Sequence, residues 1–163
     1  MIQLNILDEI IALQEYFEMA ATEQNITLSL INKFEDSAKT AIIGDQAMLR
    51  RALSNLYSNA LRYTPQGNTI VTTLSQQNGY IIVSVKNPGE MIQKAQLPHI
   101  FDRFYRGDSS RKRTTEGVGL GLAITQAIVK FHHGEIAVRS SEEATIFTIK
   151  LALSKPKTPL LHF

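Results

Sequence analysis

The sequence predicts an α/β fold in two layers, with helices packed on one side of a mixed or antiparallel β-sheet. Three observations predict it: segments whose apolar residues recur every three to four positions, short runs that alternate apolar and polar residues, and an Asn-Gly pair between two such runs. A length of 163 residues suits one compact domain with a sizeable core.

Composition excludes several classes of protein. The chain has no cysteine, which rules out disulfide frameworks and thiolate metal sites, and its formal charge of +2 gives no argument for nucleic-acid binding. No apolar run approaches the roughly 18 residues of a membrane span. The N-terminal residues "MIQLNILDEII" lack a basic leader, so we expect no signal peptide and a soluble chain.

The first third of the chain is predicted to form a helix and two short strands. Residues 6–23 have the spacing of an amphipathic helix. The strands are "ITLSLI", residues 26–31, and "TAII", residues 40–43. The apolar positions of the helix are Ile10, Leu13, Phe17, Ala20 and Ala21.

A second helix is predicted from an N-cap at Asp45 to about Tyr63, before Pro65 and Gly67. One stripe of this helix is polar. At 100° per residue, Asn55, Asn59 and Arg62 share a face beside the core. The apolar stripe consists of Leu49, Leu53, Leu56 and Ala60.

Two strands, "TIVTTLS" and "YIIVSVKN", follow, and Asn78-Gly79 between them predicts a hairpin. Residues 88–116 are irregular, which in a compact domain indicates a functional loop. "VGLGLAITQAIVKFHHG" predicts a third helix with Gly134 as its C-terminal cap. "EIAVRS" and "TIFTIKLAL" predict a final antiparallel pair, and residues 154–163 a loose tail.

The polar stripe has a chemical interpretation. Asparagine is a poor helix former, yet an amide oxygen is a good neutral ligand for Mg²⁺, which is often held by few protein groups and substrate phosphates. Arg62 lies one turn away, where it could donate to the same phosphates. The alternative is that three surface residues merely coincide.

Glycines precede the third helix in "EGVGLGLAI", where backbone amides and a helix N-terminus favour an anion. The run fits neither a Walker A loop nor a dinucleotide fingerprint, because the latter needs glycine where Leu122 or Ile124 stands. A flexible linker is the alternative. "VKNPGEMI" ends a strand in Asn87 and a Pro-Gly turn, whose amide side chain could read a base edge; alone it is more often just a turn.

Taken in order, "NLYSNALRYTP", "VKNPGEMI", "IFDRFYRG" and "EGVGLGLAI" resemble the N, G1, F and G2 boxes of the catalytic ATP-binding domain of bacterial sensor histidine kinases. The surrounding residues look most like the copper- and silver-sensing branch. The resemblance implies a two-layer sandwich with about three helices (the GHKL or Bergerat fold), and ATP under a flexible lid. It places the domain at residues 1–153, the lid at about 88–118 and a tail at 154–163.

The resemblance also implies ATP and Mg²⁺ as ligands, with Asn59 binding the metal and Asn59 and Arg62 acting in catalysis. Asn55 would support the phosphate side, Asn87 would take the adenine amino group, and a phenylalanine pair would anchor the lid. The implied nucleotide-binding residues are Asn55, Asn59, Arg62, Tyr63, Asn87, Gly89, Ile92, Phe101, Arg103, Phe104, Arg106, Gly117, Gly119, Leu120, Gly121 and Thr145.

The chain departs from the family in three respects. Asn87 stands where the family usually has aspartate, so the base would meet an uncharged acceptor. "SEEAT" replaces a glycine-rich turn before the last strand. No phosphoacceptor is found, because no histidine lies in an H-E-x-x-x-P-like context, and the pair at 132–133 is expected to be structural. The histidines are His99, His132, His133 and His162.

We therefore expect an excised, monomeric catalytic domain from the cytoplasmic side of an inner-membrane homodimer. Its implied partners are a separate dimerisation and phosphoacceptor domain and a response regulator. Two rivals remain: an ATP-hydrolysing relative of the same fold, and a nucleotide-binding regulatory module. Asn55 opposes the first, because a hydrolase places a glutamate base there. Asn87 is the one feature that favours the second.

Overall fold

The computed structural model describes residues 1–36, 39–105 and 121–154 of the chain. It contains seven strands, three α-helices and one 3-10 turn at Leu97–His99 in those ranges. The helices are α1 (Ile6–Glu23), α2 (Gln46–Tyr63) and α3 (Gly121–Phe131). The strands are β1 (Ile2–Asn5), β2 (Thr27–Asn32), β3 (Ala41–Gly44), β4 (Thr69–Gln77), β5 (Tyr80–Asn87), β6 (Glu135–Ser140) and β7 (Thr145–Ala152).

Five strands form the main sheet in the order β2-β4-β5-β7-β6, and β1 pairs antiparallel with β3 in a separate two-stranded sheet. In the main sheet β2 and β4 are parallel and every other pair is antiparallel. The three helices pack on one face of this sheet, whose inward residues from β4, β5 and β7 are buried. The predicted two-layer sandwich with a mixed sheet is confirmed.

The first helix has the predicted bounds. Asn5 caps it, because its Oδ1 accepts a hydrogen bond of 3.0 Å from the backbone N–H of Asp8. Its one buried carboxylate, Glu9, accepts hydrogen bonds from Gln46 and Arg50 of α2, which ties the two helices together. The four-residue strand β1 before it was not predicted, because its partner β3 lies far along the chain, from Ala41 opposite Asn5 to Gly44 opposite Ile2.

The second helix begins and ends as predicted. Asp45 Oδ1 accepts from Met48 N–H at 2.9 Å, and all four residues of the predicted apolar stripe are buried. Tyr57, on the same side, is fully buried and its hydroxyl pairs with Thr72 and Gln14. Burial raises the pKa of the Tyr57 hydroxyl, although these two hydrogen bonds act in the opposite direction.

The predicted hairpin between β4 and β5 is confirmed. Asn78 and Gly79 both have positive φ, at 51° and 79°, as a type I′ turn requires. The pairing that follows, from Gln77 opposite Tyr80 to Val71 opposite Lys86, sets the inner face of β5. Asn87, the last residue of that strand, is consequently on the inner face with Val85.

The C-terminal end of α3 corrects one prediction. The left-handed position there belongs to His133, with φ of 57°, and not to Gly134. The N–H of His133 donates to Lys130 and that of Gly134 to Val129, which is a Schellman ending with Gly134 one residue beyond the cap. Glycine is needed at 134 for space, because a Cβ there would collide with the backbone oxygen of Lys150.

The irregular segment after β5 is confirmed as far as residue 105, where the 3-10 turn is its one helical piece. The rest of the predicted lid, residues 106–118, and the tail from 155 onward lie outside the described residues, as does the predicted start of the third helix. None of the helices in the described ranges has the length and apolar character needed to cross a membrane.

Candidate nucleotide site

The predicted polar residues meet where the C-terminal half of α2, the ends of β5 and β7, and the start of α3 come together. α2 and α3 are neighbours, and β5 lies beside β7 in the sheet beneath them. Residues separated by up to 90 positions in sequence are thereby placed around one region of the surface, between the helix layer and the segment that follows β5.

Asn55 joins the two helices. Its Nδ2 donates to the backbone oxygen of Gly121 at 3.1 Å and to the hydroxyl oxygen of Thr125 at 3.3 Å. Thr125 is fully buried and donates in turn to the oxygen of Gly121, at 2.8 Å. The nitrogen side of the Asn55 amide is therefore committed to α3, and only its oxygen is left for another partner.

Asn59 lies one turn later on α2 and is half-buried. It makes no hydrogen bond to another described residue, so its amide oxygen is available to a ligand. Arg62 and Tyr63 complete this edge; both are exposed, and the guanidinium carbon lies 5.9 Å from the centre of the tyrosine ring.

A divalent metal fits this donor set only together with a ligand that brings its own oxygens. The described residues include no cluster of three or more His, Asp or Glu side chains that could hold an ion. One neutral amide oxygen on α2 is a donor of the type that Mg²⁺ accepts when phosphates supply most of its coordination. Asn59 suits a shared site of this kind and does not suit a resident metal.

Asn87 and Gly89 form the opposite end of the site. Asn87 is 4% exposed, and its Nδ2 donates to the oxygen of Pro88 at 2.9 Å, which leaves Oδ1 as its accepting atom. Gly89 has φ of 144°, and a Cβ built on it would lie 2.5 Å from the backbone oxygen of Tyr63. The turn after β5 is thus in close contact with the backbone at the end of α2. Thr145 lies directly opposite Asn87 on β7 and is 7% exposed.

The segment after the turn is held at two places. The backbone N–H of Ile92 donates to Ser140 Oγ at 2.9 Å. The ring of Phe101 meets that of Phe147 edge-on, with centroids 6.2 Å apart, and packs against the core.

The two phenylalanines that were predicted to anchor the lid, Phe101 and Phe104, have different environments in the structure. Phe104 is 61% exposed with φ of 65°, and its ring lies 5.7 Å from the guanidinium carbon of Arg103. Because a side chain that is mostly in solvent contributes little burial, the anchoring expected of both phenylalanines fits Phe101 alone.

Four predicted residues, Arg106, Gly117, Gly119 and Leu120, lie outside the described residues. Gly121, the last glycine of the run, is the first residue of α3 and accepts the hydrogen bonds from Asn55 and Thr125 through its backbone oxygen. The site therefore has one polar end at Asn87 and Thr145 and another at Asn55 and Asn59.

Residues 44–155 match the family described as histidine kinase-, DNA gyrase B-, and HSP90-like ATPase. That match takes in more than half of the chain and every residue of the site. The chain belongs to this family.

Relatives within the family are sensor kinases. Sensor histidine kinase CusS of Escherichia coli (strain K12) is 46% identical over 148 residues, which cover 91% of this chain and 30% of that protein. The probable sensor kinase SilS of Salmonella typhimurium is 46% identical over 108 residues, 66% of this chain and 22% of that protein. The chain thus spans less than a third of the length of these curated relatives.

The fold comparison agrees. The nucleotide-free catalytic domain of histidine kinase ThkA is similar to this chain with a TM-score of 0.80 at 26% identity, over 92% of this chain and 93% of that chain. The GHKL-type fold expected from the sequence is confirmed. This chain is accordingly a histidine-kinase-type ATP-binding domain by family and by fold.

The expected structural role of the adjacent histidines is confirmed for His132. It is 8% exposed, its Nδ1 is 2.8 Å from the oxygen of Ile128, and its Nε2 accepts the backbone N–H of Asp45 at 3.0 Å. Because a carbonyl oxygen only accepts, the proton must be on Nδ1 and the ring is neutral. His132 therefore links the end of α3 to the start of α2.

Two residues of the candidate site were missed from the sequence: Thr125, which accepts a hydrogen bond from Asn55, and Ser140, which accepts one from Ile92. Nothing local distinguishes a threonine in the middle of an apolar helix or a serine at the end of a strand. The strand register offers the only signal, since Ser140 and Asn87 both lie opposite Thr145.

Proposed function

We propose that this domain binds Mg-ATP and transfers the γ-phosphoryl group to a histidine on a separate dimerisation and phosphoacceptor domain of a two-component sensor kinase. The observation that supports this proposal is the close contact of Gly89, beside the buried Asn87, with the end of α2, the helix that carries Asn59, in a chain that belongs to the ATPase family. The first two boxes of the resemblance supply those residues, and Gly121, the first residue of α3, belongs to the fourth.

The base is assigned to the Asn87 end. Asn87 Oδ1 would accept from the adenine amino group, because its Nδ2 is already occupied by Pro88. The absence of a side chain at Gly89 leaves the turn close to α2, with Tyr63 beside it. Thr145 and Ile92 would border the ring from the sheet side, and Phe101 would hold the following segment on the core.

The phosphates are assigned to the other end. Asn59 would share the Mg²⁺ with the phosphate oxygens, and Arg62 would donate to a phosphate as a charged partner. Bound Mg²⁺ supplies neutralisation of phosphate charge. The lid residues expected to shape this end are Arg103, Phe104, Arg106, Gly117, Gly119 and Leu120.

The chain's own part in phosphoryl transfer is positioning and charge neutralisation, since the reaction needs little covalent chemistry from the protein. Asn55 holds α3 against α2, and so keeps the start of α3 beside the phosphate end. An amide cannot remove a proton from water, and this one donates to Gly121 and Thr125. Hydrolysis is therefore expected to be slow, which keeps the phosphoryl group for an incoming histidine.

The intact protein is proposed to be an inner-membrane homodimer with this domain on its cytoplasmic side, acting on a cognate response regulator in a copper or silver response. Support comes from the resemblance of the surrounding residues to the copper- and silver-sensing branch, and from the relatives CusS, a sensor histidine kinase, and SilS, a probable sensor kinase. The histidine kinase ThkA has been solved in complex with the response regulator protein TrrA; at 24% identity that likeness concerns the fold.

The test is transfer in trans. The chain is mixed with a separately made dimerisation domain that carries the phosphoacceptor histidine, together with Mg-ATP. Acid-labile phosphate should appear on the partner and little on this chain. Asn59→Ala should abolish transfer, whereas Ser58→Ala, an exposed neighbour on α2, should leave it unchanged.

Two other outcomes would identify a rival. Steady release of inorganic phosphate that exceeds transfer would show an ATP-hydrolysing protein. Nucleotide binding without transfer, unaltered in Asn59→Ala, would show a regulatory module and remove the metal role from Asn59.

A further inference from the structure

The inner face of the sheet ends in a polar row. Across β5, β7 and β6, the register places Asn87 opposite Thr145 and Thr145 opposite Ser140. The next row inward, Val85, Phe147 and Val138, is wholly apolar. An alternating strand pair buries apolar side chains on its core face, so three consecutive polar side chains in one row indicate a local chemical requirement.

Ser140 is the member of the row with the most partners. Its Oγ accepts the backbone N–H of Ile92 at 2.9 Å and lies 2.7 Å from Thr145 Oγ1. The chain leaves β5 at Asn87 and reaches Ile92 only five residues later, beside β6. Residues 88–91 therefore pass the end of β7 at Thr145. Ser140, on β6, accepts the hydrogen bond that holds the far end of this segment.

The hydrogen bond between Ser140 and Thr145 has two possible directions, because Ser140 Oγ has two lone pairs and could accept from both Ile92 and Thr145. In the direction in which Ser140 donates, the one proton of the Thr145 hydroxyl is left for the site. Asn87 then presents an acceptor, Oδ1, and Thr145 presents a donor beside it. An adenine edge offers an amino donor next to a ring-nitrogen acceptor, whereas guanine offers a carbonyl next to an N–H, the reverse order.

We propose that Ser140 is a positioning residue for purine selection: it fixes the hydroxyl of Thr145 as a donor and holds the segment after Asn87 across the base site, so that adenine is preferred over guanine. This inference rests on the proposed function, because it needs a nucleotide base at Asn87. Ser140 itself acts through Thr145 and Ile92 and is not assigned a contact with the ligand.

The test measures binding of ADP and of GDP to the full chain by titration calorimetry. Ser140→Ala removes both hydrogen bonds and is expected to weaken ADP binding about five- to tenfold, as the loss of about one net hydrogen bond implies. GDP binding should change less, so the ADP preference should fall. Ser140→Thr keeps the hydroxyl and should restore both affinity and preference.

Ser84→Ala is the matched control, a strand serine whose side chain is on the opposite face of β5 from Asn87 and Val85. It should leave both affinities unchanged. Far-ultraviolet circular dichroism checks that each variant is folded; should Ser140→Ala fail to fold, Ser140→Cys, of similar volume with a weaker donor, should lower the preference in the same direction.

An unchanged ratio of ADP to GDP affinity in the folded Ser140 variants would overturn this inference and leave the proposed function intact. Failure of the unmodified chain to bind ADP at all would instead reject the proposed function. The selectivity ratio separates positioning from a general loosening of the fold, because loosening would weaken both nucleotides equally.

Discussion

Replacing Gly89 by alanine should damage both the stability of the domain and its nucleotide site. A Cβ at this position would lie 2.5 Å from the backbone oxygen of Tyr63, a separation that real Cβ atoms essentially never show. The obstructing atom belongs to the end of α2, so it cannot move aside as a flexible side chain would. The φ of 144° adds strain, because side-chain-bearing residues rarely adopt it.

The magnitude follows from three contributions. Backbone strain costs about 1–3 kcal/mol, and forcing an extra carbon into a packed contact costs about 1–3 kcal/mol. The lower entropy of an unfolded chain with alanine offsets about 0.4–1 kcal/mol. The free energy of unfolding should therefore fall by about 1–6 kcal/mol.

Gly67→Ala provides the comparison. Gly67 also has positive φ, at 83°, but nothing lies within 4 Å of its Cβ position. Its cost should be about 0–1.6 kcal/mol, since strain of about 1–2 kcal/mol is partly offset in the same way. Urea unfolding measures both variants, and ADP titration shows whether Gly89→Ala also loses binding. Equal destabilisation by the two substitutions would refute the close contact of Gly89 with α2.

Two further predictions concern α2. Asn55→Asp removes the donor to Gly121 and Thr125 and places a carboxylate against their oxygens, so it should lower the free energy of unfolding by about 1–3 kcal/mol. Asn59→Asp is the control, because it adds the same charge one turn away without losing a hydrogen bond. An equal loss of stability in both variants by urea unfolding would argue against the link between Asn55 and α3. The raised pKa of Tyr57 means that the folded state holds its proton above the usual value of 10, where the unfolded state loses it. Stability should be complete below about pH 10 and fall as pH rises through the folded pKa, and Tyr57→Phe should fall less over that range; parallel curves for the two proteins would contradict this.

The elements that local sequence predicted well are those with a local physical cause. The caps of α1 and α2 depend on one side chain and an N–H three residues on, and the hairpin depends on two residues with positive φ. The order of the four sequence boxes can likewise be read along the chain without knowledge of any tertiary contact. The end of the third helix was predicted less accurately. Either His133 or Gly134 could take the left-handed conformation, and the choice depends on the backbone of β7 beside them.

The site shows the same division. Helix spacing indicated that Asn55 and Asn59 differ from ordinary helix residues, and the resemblance implied a different ligand role for each, but neither identified a partner for them within the protein. The structure assigns Asn55 to α3 through Gly121 and leaves Asn59 open, although both are on one stripe of α2. Phe104 could not be distinguished from Phe101 by pattern either, because the difference is that only Phe101 meets a ring from β7.

The sequence by itself determined the two-layer α/β class, the family, and the order of the helices and of every described strand except β1, because these follow from periodicity, turn chemistry and motif order along the chain. The tertiary structure alone decided which groups lie together: Asn87 opposite Thr145, Thr145 opposite Ser140, Gly89 beside the end of α2, and His132 at the start of the same helix. The physical reason is that strand register and helix packing set distances between residues tens of positions apart, and a side chain's hydrogen bonds depend on those distances.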